Sequence, residues 1–225
     1  MKKQVVLLLG LICLTHNVSA AGSVQLQTAN TDIHDQSSLQ NGAKLFMNYC
    51  AACHSLSLMR YKRVAKDLAI DEQMMRNNLI FNGAQIGDTM DAAINPAQAE
   101  KWFGIVPPDL SLTARSKGLD WIYSYLNGFY EDSSRPFGVN NTVLANASMP
   151  DVLWQLKQNL SAQEFEMQIN DIVNFLDYVG EPIKLERAKI GIKVIFFLIV
   201  LLVLSFLLKK EYWKDVKYGK WRRQD

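Results

Sequence analysis

Cysteine occurs only three times in these 225 residues, as Cys13, Cys50 and Cys53, and histidine only three times, as His16, His34 and His54. So few thiols cannot build a disulfide framework, and a structural zinc site would need a second pair of ligands that the chain does not supply. Sustained period-two alternation of apolar residues is missing, as is any internal repeat, so strands are expected to be few and short. The βαβ pattern that would surround a thioredoxin-like dithiol is missing too. Excess positive charge is also lacking: the net charge is only +2. Between Ala21 and Lys189 there are 14 Lys and Arg against 19 Asp and Glu, a net of −5. Nucleic acid is therefore not an expected partner, whereas a basic protein fits the charge.

The two neighbouring cysteines stand in Cys50-Ala51-Ala52-Cys53-His54. C-x-x-C-H is the covalent attachment sequence of a c-type haem. On a helical segment, residues three and four apart share a face, so both thiols and the imidazole could meet one flat ligand. The thiols would form thioethers with the porphyrin vinyl groups, and His54 would be the proximal iron ligand.

Long apolar runs are confined to the two ends. Residues 1–20 read as a secretory signal, with Lys2 and Lys3, an apolar run from Val5 to Leu14, and Val18-Ser19-Ala20 as a small-residue cleavage site. Cys13 reads as a packing residue of that signal. Ile190 to Leu208 is a 19-residue apolar stretch, about 28 Å as a helix, close to the ~30 Å hydrocarbon core. The tail 209–225 has a basic excess with Tyr212, Trp213 and Trp221, which suits a cytoplasmic interface. The expected plan is a signal (1–20), an exported domain (21–189) in the periplasm or its equivalent, one inner-membrane span (190–208) and a cytoplasmic tail (209–225).

Within the exported part, residues 21–36 are a polar, unpatterned, exposed lead-in. Leu39, Ala43, Phe46 and Cys50 predict a helix from Ser38, capped by Ser37 or Ser38, that delivers the haem motif, with Gly42 leaving room for a crossing helix. Its expected partner opens with a Ser161/Glu164 capping box, carries Phe165, Ile169, Ile172, Val173 and Leu176 at helical spacing, and stops at Gly180 and Pro182. Weaker helices are expected over Asp71–Phe81, Asn95–Phe103 and Leu119–Tyr130, and a long loop over Ser133–Pro150.

The second axial ligand decides between an electron carrier and an open, ligand-binding haem. His34 lies in the polar lead-in and reads as solvated. Met47 and Met59 are too near the motif, and Met74, Met75 and Met167 read as core residues. Met90 and Met149 remain, both on loop-like stretches, and the chemistry favours Met149, far enough downstream for the chain to wrap the haem.

The haem motif, Val106-Pro107-Pro108-Asp109-Leu110 with Ser111 and Arg115, Ser134-Arg135-Pro136 to Asn140-Asn141, Met149-Pro150 with Val152-Leu153-Trp154, and Gly180-Glu181-Pro182 before an apolar segment together resemble the cytochrome c1 family. That family is the haem subunit of ubiquinol-cytochrome c reductase. The resemblance implies a mainly α, class I-like cytochrome c domain with one C-terminal transmembrane helix and one covalent haem c. It implies Cys50 and Cys53 as thioether sites, His54 and Met149 as iron ligands, Arg115 beside a haem propionate, and Pro108 in a loop against the haem. Its implied partners are a cytochrome b subunit, a Rieske iron-sulfur subunit and a cytochrome c acceptor, with the complex rather than this chain as the enzyme.

Overall fold

The computed structural model describes residues 24–217 and Gly219. The signal read at 1–20 and the end of the basic tail lie outside the described residues. Asp35, rather than Ser37 or Ser38, caps α1 (Gln36–Tyr49), its carboxylate accepting from the Ser38 N–H at 3.1 Å and the Ser37 hydroxyl at 2.6 Å. An aspartate ahead of two serines wins because its charge also favours the helix N-terminus.

The domain is organised by the crossing of α1 with α8 (Ala162–Gly180). Gly42 is the point of closest approach: a Cβ there would lie 2.0 Å from the Asp171 carbonyl oxygen and 2.8 Å from the Phe175 Cβ. Phe46 and Phe175 meet at a ring separation of 5.8 Å. The Ser38 hydroxyl and Asn41 amide both donate to the Asp171 carboxylate, at 2.6 and 2.7 Å. The Ser161/Glu164 capping box opens α8, and Phe165, Ile169, Ile172, Val173 and Leu176 are all buried.

Between these helices the chain runs β1 (Leu56–Arg60), α2 (Tyr61–Asp67), α3 (Glu72–Asn78), β2 (Thr89–Met90), α4 (Pro96–Phe103), α5 (Thr113–Lys117), α6 (Leu119–Asn127), β3 (Phe129–Glu131), β4 (Val139–Asn141) and α7 (Trp154–Asn159). β1 pairs antiparallel with β2 across an irregular register, and β3 with β4 from Phe129–Asn141 to Glu131–Val139. The mainly helical class is as expected. The helix expected to run to Tyr130 instead stops at Asn127. Gly128 lets the chain turn there against the Thr142 side chain, 2.4 Å from where a Cβ would stand, and the following residues pair as a strand. The stretch expected as loop from Ser133 thus contains β4.

The lead-in is exposed but not loose. Its backbone N–H groups donate to side chains of α6 and α8: Gln27 to Ser124 Oγ at 2.7 Å, Ala29 to Asp120 Oδ1 at 2.8 Å and Asn30 to Asn170 Oδ1 at 2.9 Å. A polar segment without apolar periodicity can dock this way because its unpaired amides find acceptors on neighbouring helices.

After Gly180 only residues 181–183 separate α8 from α9 (Lys184–Lys217), which spans about 51 Å at 1.5 Å per residue. Lys184 pairs with Asp177 at 2.7 Å and Arg187 with Glu181 at 2.8 Å across that junction. Lys189–Lys214 is long and apolar enough to cross a membrane, its most apolar 18-residue window having a mean hydropathy of 2.9 and no residue buried against the domain. The helix therefore continues beyond both ends of the expected 190–208 segment.

Candidate haem site

α1 ends at Tyr49, so the attachment motif lies in the turn after the helix and not within it. The Phe46 carbonyl accepts from the N–H groups of Cys50 at 2.8 Å and Ala51 at 2.9 Å. The Cys50 carbonyl then accepts from Cys53 at 3.0 Å and His54 at 2.9 Å. These bonds preserve the three- and four-residue closure the chemistry needs while releasing the chain from the helix axis. Cys50 is buried and Cys53 half-buried, and neither is in a disulfide among the described residues. Burial, with a smaller contribution from Cys53, pushes the Cys50 thiol up to about 12, and burial also raises the Cys53 thiol.

His54 is held by one ring nitrogen: Nδ1 lies 2.8 Å from the Pro108 carbonyl oxygen. A carbonyl only accepts, so Nδ1 carries the proton and Nε2 keeps its lone pair for a metal. Burial depresses the imidazole's basicity, more than the Pro108 carbonyl and the Asp109 carboxylate restore it. The neutral ring is the form that ligates iron.

The loop bearing Pro108 is fastened to the motif by a ladder of short bonds. Leu110 N–H donates to the Ser55 carbonyl at 2.9 Å. Ser57 donates to Asp109 Oδ2 from its N–H at 2.9 Å and its hydroxyl at 2.6 Å, and the Leu58 N–H reaches Ser111 Oγ at 3.2 Å. Burial alone would raise the Asp109 carboxyl, but the donors on Ser111 and Ser57 outweigh it and hold the group below the ordinary carboxylate range. On the other flank Ala92 N–H donates to Ser55 Oγ at 2.8 Å, and Ala93 and Ile94 donate to the carbonyls of Ala51 and Ala52 at 3.4 and 3.1 Å. Asp109 stands in the sequence as part of a motif, but its fastening task is one that sequence reasoning misses. The signal for it is the Asp-x-Ser spacing, which closes an Asx turn with Ser111 N–H at 2.7 Å. Ser55 carries no comparable signal.

Pro108 thus contributes a carbonyl to His54 as well as loop shape. Met149 is half-buried in the segment between β4 and α7. Met90 is not on a loop: it is a buried residue of β2 opposite Leu56, inside the hydrophobic core. Met75 is buried as expected, but Met74 and Met167 are exposed on the outer sides of α3 and α8, because both helices are buried along one face only. Arg115 is exposed, and its stem crosses the end of α8, with Cγ 3.3 Å from the Cβ position of Gly180. His34 is exposed and lines two cavities, of about 340 and 420 Å³, beside the start of α9; neither is lined by Cys50, Cys53, His54 or Met149.

The sequence model described as "Cytochrome C1 family" matches residues 27–216. The chain belongs to the cytochrome c1 family. A cytochrome c1 of Allochromatium vinosum is 45% identical over 96% of this chain and 100% of its own length. A Nitrosomonas europaea protein named ammonia monooxygenase gamma subunit is 40% identical over 88% of this chain and 92% of its own. Cytochrome c1 of Rhodospirillum rubrum is 28% identical over 82% and 84%. A cytochrome c1 is a haem c electron-transfer subunit of a bc1 oxidoreductase complex. The donor set fits the group: two free thiols three residues apart, then an imidazole whose Nδ1 is already engaged.

Proposed function

We propose that this chain, where Cys50 and Cys53 would hold haem c by thioethers and His54 and Met149 would ligate its iron, accepts one electron from a Rieske iron-sulfur protein and delivers it to a cytochrome c. The bond from His54 Nδ1 to the Pro108 carbonyl carries this reading, since it fixes the tautomer that leaves Nε2 free for iron. Bound there, the haem supplies a one-electron ferric/ferrous couple. The chain's own residues set the conditions: the clamp of Ser55, Ser57, Asp109 and Ser111 keeps His54 in place, and the Met149 thioether, a soft neutral donor, favours the ferrous state and a high potential. Met149 is favoured over Met90 because Met90 is committed to the core beside the strand that follows His54, whereas Met149 is outside that core. Arg115 remains the propionate partner that the resemblance implies.

The subunit itself makes and breaks no substrate bond; quinol oxidation belongs to the cytochrome b and Rieske partners. α9 anchors it in the inner membrane, with residues 21–189 periplasmic, a span centred on 190–208 and residues 209–225 cytoplasmic, an orientation supported by the basic tail. Met149→Leu tests the ligation. This swap conserves volume and should cost below ~1.5 kcal/mol of stability. The potential should fall and the reduced protein should bind carbon monoxide. An unchanged potential and spectrum in this variant, with both altered in a Met90 variant, refutes the assignment.

A further inference from the structure

We infer that Arg135 donates its Nε–H to a propionate of the haem, so that the β3–β4 loop anchors the cofactor's polar edge independently of Arg115. The inference rests on the haem reading above. Its starting point is a group with no hydrogen-bond partner among the described residues: Arg135 Nε is buried and unbonded there, while Nη2 of the same guanidinium donates to the Asn146 carbonyl at 3.0 Å. A guanidinium offers five donors and never loses its charge, so a buried N–H left empty calls for an acceptor from outside the chain. The pairing of an Nε–H with an adjacent N–H is the fork that matches a carboxylate.

The nearby Asp132 carboxylate does not bond Nε, and its oxygens are engaged by other donors. Asp132 Oδ1 already accepts from the Ser134 N–H at 3.0 Å and from its hydroxyl, and Oδ2 from the Asn140 amide at 2.9 Å. The loop is also cross-linked by its own hydrogen bonds. Asp132 N–H donates to Gly138 O at 2.9 Å, Gly138 N–H to Arg135 O at 3.0 Å, and Asn146 N–H to Asn140 Oδ1 at 2.8 Å. Asn146 lies three residues before Met149, on the same segment as the proposed iron ligand. On its other side the loop touches α4 through Phe137 and Phe103, at a ring separation of 5.8 Å, and residues just before α4 bond the carbonyls of Ala51 and Ala52 inside the attachment motif. Arg135 therefore belongs to a frame already joined to both the motif and the Met149 segment. Arg115, by contrast, is exposed beside Gly180. A haem c carries two propionates, so the two arginines need not compete.

The test uses the full-length protein in its detergent-solubilised complex, with anaerobic redox titrations across about pH 5–9 on wild type, Arg135→Gln, Arg135→Lys and Arg115→Gln. A guanidinium on a propionate keeps it ionised below the working pH range, and its positive charge favours the reduced haem. Arg135→Gln should therefore lower the potential at high pH. It should also introduce a new pH-dependent segment in which the potential falls as pH rises, because the freed propionate now titrates within the range. Arg135→Lys should show a smaller change in the same sense. Haem staining on denaturing gels and the ligation spectrum are read in parallel. Attached haem with an unaltered spectrum, and a wild-type potential at every pH in Arg135→Gln, overturns this inference while leaving the haem reading intact; wild type without attached haem overturns both. If the variants do not accumulate, a cryo-EM map of the wild-type haem-loaded complex decides: Arg135 Nε within hydrogen-bond distance of a propionate oxygen supports the inference, and Nε on water, a backbone carbonyl or another subunit's carboxylate overturns it.

Discussion

Replacing Gly42 by alanine sets two physical effects of opposite sign against each other. Gly42 lies inside α1, where Gly→Ala ordinarily gains about 1 kcal/mol from helix propensity. The new methyl, however, would stand 2.0 Å from the Asp171 carbonyl oxygen and 2.7 Å from its carbon, where ordinary contact begins at 3.4 Å. Backbone on both sides must retreat by about 1.4 Å, and no flexible side chain can absorb it. Such a shift would also loosen the Phe46–Phe175 contact and the bonds that Ser38 and Asn41 make to Asp171. Overpacking of this kind costs about 3 kcal/mol, the upper end of its usual range, which leaves a net loss of roughly 2 kcal/mol after the propensity gain. For a domain of this size that corresponds to a fall of about 4–8 °C in Tm. Thermal unfolding of the purified full-length protein, followed by far-UV circular dichroism, measures it. A Gly42→Ala protein that melts at or above the wild-type temperature would show that α1 and α8 do not cross as closely as described.

Asp109 predicts an acid-sensitive clamp: its folded-state pKa is depressed, so its contribution is present above the ordinary carboxylate value of about 3.9 and is lost as pH falls through the folded value. Urea midpoints of wild type and Asp109→Asn should therefore differ most near neutrality and converge in acid, and a gap that stays constant with pH refutes this. Ala69 has φ 49°, in the left-handed region, so Ala69→Gly should stabilise the protein by about 1 kcal/mol, read as a higher urea midpoint at unchanged slope. Cys50 and Cys53 each carry one thioether in the proposed site, so haem staining on a denaturing gel should persist in either single alanine variant and vanish in the double, and stain surviving the double variant excludes the motif as the attachment point.

The parts of this protein written in local chemistry are legible in the order of the amino acids. The Ser161/Glu164 capping box, the Asn95-Pro96 helix start and the apolar spacing of Phe165 to Leu176 each depend on neighbours within one or two turns, and each stands where the sequence predicts it. Gly42 is readable because a missing side chain on an apolar stripe has few other uses. Long-range pairing is not readable in the same way. β1 and β2 are short and irregular, so Met90 shows no alternation to mark it as a strand residue. The contact of Pro108 with His54 joins positions 54 apart through a backbone carbonyl, which no side-chain pattern records. The same holds for the lead-in, whose docking uses backbone amides, and for Arg135, whose unfilled Nε is visible only from its surroundings in the fold.

The junction between α8 and α9 governs how the domain stands on its long apolar helix. With three intervening residues, one of them Pro182, and the Asp177–Lys184 and Glu181–Arg187 pairs spanning the bend, the domain has little freedom to swivel on its anchor. The frame that holds His54 runs from the Cys50 turn through α1 to α8, and so to this same bend. The turn that carries Cys50 is thereby tied to the base of α9 through packed helices and the two ion pairs.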